Sequence, residues 1–151
     1  MKNPIRYGEK VAGLSAIALF GFLFMDWFGV TGSTEGASGW DALGWFTIGV
    51  CVLAIVAGIA LPIVYALYDS PVMPVFVAIS CLLLGGLAVI AIVFENVFQP
   101  GPDELVSTLS GWWLGLLAAI GISRAGYLSM HDEFMVAVPM PDVEVRPAPA
   151  A

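Results

Sequence analysis

The chain has 151 residues, of which 60% are hydrophobic and 11% charged, with a formal net charge of −7. Soluble domains carry about 25% charged residues, so the deficit excludes a water-soluble enzyme and a disordered chain. Only five Lys and Arg leave nothing to neutralise a row of phosphates, which excludes a nucleic-acid binder.

A membrane helix needs about 20 mainly apolar residues, and the length accommodates four of them with little left for a separate domain. The expected fold is an all-α membrane protein: four transmembrane helices in an up-and-down bundle. The N-terminus, 1–10, carries Lys2, Arg6 and Lys10. A first span follows at about 11–28, interrupted only by Asp26. Its apolar run exceeds the ~7–15 residues of a secretory signal core, so it reads as uncleaved. After a Gly/Ser/Thr loop, the second span is expected at about 40–67. Ser38-x-x-Asp41 matches a capping box that would open it. Pro62 lies late within it and deprives the Gly58 carbonyl of its helical donor. Tyr68-Asp69-Ser70-Pro71 is a turn, and the third span runs from about 72 to 94 before Glu95-Asn96. Gln99-Pro100-Gly101-Pro102 leads to a fourth span at about 103–123, stopped by Arg124. The transmembrane domain is thus 11–124, and 125–151 is a Pro-rich cytoplasmic tail with Pro139, Pro141, Pro147 and Pro149.

With four crossings, both termini and the Tyr68–Pro71 turn share a side. Lys2, Arg6, Lys10, Arg124 and Arg146 all fall there, and the positive-inside rule makes that side cytoplasmic, in the plasma (inner) membrane. The five Trp (Trp27, Trp40, Trp45, Trp112, Trp113) lie near outer helix ends, and the four Tyr near inner ends. Both rings favour the headgroup boundary.

Few residues suggest chemistry. Cys51 and Cys81 lie inside spans, do not form a CxxC pair, and read as packing residues. His131 stands beside Asp132 and Glu133 in the tail, with no catalytic triad to complete. No catalytic residue, cofactor or firm metal site is expected. Gly111, Gly115 and Ala119 recur every four positions, as do Ala54 with Gly58 and Ala12 with Ala16. Such stripes let membrane helices approach closely, either within the bundle or against a partner. The outer side carries Asp26, Glu35, Asp41, Glu95, Asp103 and Glu104. Asp103 and Glu104 suit a helix N-terminus, whereas Asp26 and Glu95 would oppose the dipole of the helix they end. Asp26 lies 16 residues beyond Lys10, about 24 Å of helix, slightly inside a hydrocarbon core of about 30 Å. These two acids are therefore the candidates for an outer-face cation or proton site, set against the plainer reading of separate, hydrated carboxylates with Trp27 as an interfacial anchor.

Phe24-Met25-Asp26-Trp27-Phe28, Ser38-Gly39-Trp40-Asp41-Ala42-Leu43 and Ala125-Gly126-Tyr127-Leu128-Ser129-Met130-His131-Asp132-Glu133 resemble motifs of uncharacterised actinobacterial small four-helix integral membrane proteins. The resemblance covers about 8–133 and implies the fold but no activity. Members often end their first helix in Pro-Trp, so Asp26 departs from that pattern.

The expected function is a non-enzymatic accessory or scaffolding subunit acting through helix–helix packing. Its partners would be the lipid bilayer and a membrane protein or a second copy. The alternatives are a small transporter or channel, which usually needs a polar path, and a cation- or proton-sensing protein using the outer carboxylates.

Overall fold

A computed structural model describes residues 6–30, 35–67, 72–98 and 106–135, with side chains as far as His131. The Tyr68–Pro71 turn, Asp103, Glu104 and the prolines of the tail lie outside the described residues. The elements are α1 (Tyr7–Phe22), β1 (Asp26–Val30), β2 (Gly36–Ser38), a single turn α2 (Gly39–Ala42), α3 (Trp45–Leu67), α4 (Val72–Val97), β3 (Val106–Thr108) and α5 (Ser110–Met135). Three segments are long and apolar enough to cross a membrane: α3, α4 and Ser110–His131 of α5. α1 has 16 residues and reaches only about 24 Å.

The four long helices form a ring in the order α1–α3–α4–α5, each packed on two neighbours, with a light diagonal contact between α3 and α5. Their inner faces are lined largely by small residues. Ala12, Ala16, Ala54, Ala88 and Ala119 are fully buried beside Leu19, Leu61, Ile92 and Ile122. Close approach is literal. A methyl added at Gly58 would meet Ala16 Cβ at 2.8 Å, and one at Gly85 would meet the Ser123 amide at 2.6 Å. The outward faces are apolar as well: Leu14 and Ile17 on α1, Leu53 and Val56 on α3, Leu83 and Ile90 on α4, and Leu117 on α5 are exposed. Helices apolar all round belong to apolar surroundings.

At one end, β1 lies between β2 and β3 in an antiparallel sheet, where the sequence predicts loop and helix. α1 stops at Phe22 instead of continuing to 28. Its last turn tightens as the Phe24 amide donates to Gly21 O and the Met25 amide to Phe22 O, at 3.2 and 3.1 Å. The chain then pairs on both edges, Phe28 opposite Ala37 on β2 and opposite Thr108 on β3. Asp26 pairs with Ser38 and Phe28 with Ala37, so Trp27 is the extra residue of a bulge. Bulges re-aim a side chain, and this one turns Trp27 into the bundle, where it is fully buried. Its indole N–H donates to Phe22 O at 2.7 Å, a second donor beside the Met25 amide on this carbonyl of the helix end. Trp27 is therefore a core residue, not the interfacial anchor expected from its position.

Two further boundaries differ from the sequence reading. Ser38 does cap a helix, but only the four residues of α2. Its hydroxyl donates to Asp41 Oδ2 at 2.6 Å and caps no backbone amide. Leu43 is extended (φ −83°, ψ 144°) because its side chain is drawn into the core, and α3 begins at Trp45 rather than 40. α5 begins at Ser110, after β3, rather than at 103. It passes Arg124 and His131 without a break to Met135, so 125 does not start the tail. α4 likewise runs to Val97.

Trp27 rests on glycines. A methyl at Gly39 would lie 2.9 Å from its Nε1, one at Gly111 2.7 Å from its Cδ1, and one at Gly115 would overlap its ring carbons. Gly115→Ala, and more severely Gly115→Leu, is expected to lower the melting temperature in detergent, overpacking of this kind costing ~1–3 kcal/mol or more. Gly49, also within a helix, has open space around its Cα. Gly49→Ala should leave stability unchanged or raise it by up to ~1 kcal/mol through helix propensity. Equal melting shifts in the two Ala variants would refute the socket.

Candidate functional site

The acids of the sheet end are the natural place to look for chemistry, and the two that the sequence singles out have different surroundings. Glu95, half-buried on the last turn of α4, does not act against its own helix. Its Oε1 accepts from the Gly44 amide at 2.9 Å and from Thr47 Oγ1 at 2.8 Å. Gly44 precedes the first residue of α3, and its carbonyl accepts the Ile48 amide. Glu95 thus does for α3 what the third-turn-position carboxylate of a capping box does within a single helix. It brings a negative charge to the positive end of the α3 dipole. The sequence could not show this, since the contact joins residues 51 apart.

Asp26 opens β1, is exposed, and lies beyond the end of α1, so the helix-dipole argument does not apply to it. Its carboxylate lies against Gly36, where a methyl would come within 2.6 Å of Cγ. The glycine is required there by this close approach. Asp26 and Glu95 therefore have different partners. Among the described residues no group of three His, Cys, Asp or Glu is placed to hold a metal ion.

Two other acids line one cavity. Glu35 and Asp41 border a cavity of about 420 Å³ between the sheet and α2, walled by Phe28, Val30, Ala37 and Val106. It is an apolar hollow with carboxylates at its rim. The sequence predicts a capping role for Asp41 and no hairpin to bring it and Glu35 to one cavity.

The helix-packing residues all face inward. Gly111 and Gly115 hold Trp27, Ala119 and Ala54 are fully buried, and Gly58 sits on Ala12 and Ala16. Cys51 and Cys81 are free and fully buried. Three features at the opposite end went unread. Glu9 is 1% exposed and accepts the Arg6 amide at 2.6 Å, capping α1; its position three residues after Arg6 was the available signal. The Arg6 guanidinium lies over the Tyr65 ring at 5.6 Å. His131, placed in the tail by sequence, is on α5, its ring stacked on Tyr127 at 6.0 Å.

No family model, no curated protein and no solved structure matches the chain.

If Glu95 caps α3, Glu95→Ala should destabilise the protein by about 1–3 kcal/mol, the range for hydrogen bonds to a charged group. Glu95→Gln, which retains an acceptor but not the charge, should lose less, and Asp26→Asn still less. Thermal melts in detergent check the order. An Asp26→Asn loss as large as that of Glu95→Ala would overturn the assignment.

Proposed function

We propose that the chain is a multi-pass plasma-membrane protein with four spans and both termini cytoplasmic. In this reading it serves as a non-enzymatic accessory or scaffolding subunit that works through helix packing with a membrane-protein partner or a second copy. The observation that carries the reading is the apolar exterior of all four long helices. α1 is short, yet Leu14, Ile17 and Phe20 are exposed on it, a face suited to lipid.

Charge placement supports the orientation. Arg6 and Lys10 stand at the end opposite the sheet, whereas Asp26, Glu35, Asp41 and Glu95 lie at the sheet end. Basic residues favour the cytoplasmic side, so the sheet faces outward. A second reading, sensing of a cation or proton at the outer face, draws on the cavity rimmed by Glu35 and Asp41 rather than on Asp26 with Glu95.

Single cysteines engineered at Ser33 and Ala148 test the topology, the buried native thiols serving as background. A membrane-impermeant maleimide applied to intact cells should label the Ser33 variant only. Labelling at Ala148 would reverse the orientation. Extraction in mild detergent should then yield a stoichiometric partner or a stable oligomer, and a clean monomer would count against the scaffolding role.

A further inference from the structure

Arg124 is the unexpected charge in this molecule. The sequence put it at the inner mouth of a span, but α5 continues 11 residues beyond it to Met135. Its neighbour Ser123 lies against Gly85, which is 13 residues into the 26-residue α4, about 20 Å along a helix of about 39 Å. The Arg124 backbone therefore sits beside the middle of α4, yet within about a turn of the level at which α5 meets Gly8 near the start of α1, and the residue is exposed on the outer surface of the bundle. A charge at that depth is paired or reaches toward the headgroups.

Arg124 borders a groove of about 340 Å³ between α4 and α5, walled by Leu82, Gly86, Val89 and Ile120, with Tyr127 beside it. From Leu82 to Val89 the groove follows about 10 Å of helix axis. Its opening depends on one of two adjacent glycines. Gly85 is demanded by packing, whereas a methyl at Gly86 would meet only Ser123 Oγ at 3.7 Å, an ordinary contact. The α4–α5 seam tolerates a side chain at 86, and without one the surface stays hollow. Ser123 Oγ is already engaged, donating to Leu82 O at 3.1 Å, which leaves Arg124 and Tyr127 as the polar groups facing an occupant.

We propose that this groove holds an anionic phospholipid of the leaflet farther from the sheet. Its phosphate would lie on the Arg124 guanidinium, and one acyl chain against Gly86. An arginine fork suits phosphate, and its long stem lets the charge reach toward the headgroups at that end of the bundle. A second copy of the chain would have to bring an acid of its own to the same height, and self-association is one outcome of the test. The proposal rests on the membrane reading above but not on any scaffolding role.

The test uses the full chain purified in mild detergent, titrated with phosphatidylglycerol or phosphatidylcholine and followed by thermal melting and bound lipid phosphorus. Wild type should favour phosphatidylglycerol by about fivefold, the scale of one basic residue acting on an anionic lipid. Arg124→Gln should abolish the preference. Gly86→Leu should abolish the response to both lipids while melting normally without lipid. Equal responses to the two lipids in wild type, or a preference kept by Arg124→Gln, would overturn the site. So would concentration-dependent self-association that Arg124→Gln removes without any lipid preference in wild type. A chain that stays in solution without detergent would instead sink the membrane reading itself.

Discussion

Trp27 in its glycine socket is the constraint around which the sheet end of this protein is arranged. The indole N–H closes the end of α1 through Phe22 O. The bulge that aims the ring inward fixes the register of β1 on β2. The Trp27 carbonyl accepts the Leu109 amide at 2.8 Å, just before α5 begins. One residue thus ties together the end of the first long helix, the middle strand and the start of the last helix. Its accommodation needs backbone without side chains on three sides, and Gly39, Gly111 and Gly115 supply that. The regular spacing of Gly111 and Gly115 on α5 is what lets a single ring cover both.

The rest of the bundle is held by close contact rather than by a contrast between inside and outside. Apolar residues line both faces, so in an apolar surrounding burial alone does not choose which face turns inward. Small residues decide, because they alone let backbones meet. Ala12, Ala16 and Gly58 join α1 to α3, while Gly85, Ser123 and Gly126 join α4 to α5. Polar side chains add local ties across the same seams. Trp112 Nε1 donates to Ile92 O at 3.3 Å, and Ser123 Oγ to Leu82 O. Each also satisfies a polar group that would be expensive to leave bare in such a medium.

Charge follows the same economy of placement. Glu95 ends α4 but acts on α3, and Glu9 is buried at the start of α1 while serving the Arg6 amide. Both carboxylates answer the unpaired amides of a helix N-terminus. Arg124 has no such duty and is exposed on the bundle exterior, as Lys10 is.

Composition and apolar run length, read from the sequence alone, determined that the chain is helical, that α3, α4 and α5 are long and apolar, and that Gly111, Gly115 and Ala119 share a helix face. Those are local properties: a run of apolar residues has the same length wherever it lies, and a four-residue repeat marks one face of any α-helix. Tertiary structure alone decided that α1 stops at Phe22, that Asp26–Val30 is a strand, and that Trp27 turns inward. It also decided that Glu95 caps a helix other than its own and that Arg124 stands within α5 rather than at its end. In each case a partner distant in sequence outweighs the local preference. An apolar stretch such as Phe24–Val30 fits a helix or a strand equally well until β2 and β3 offer hydrogen bonds to both of its edges.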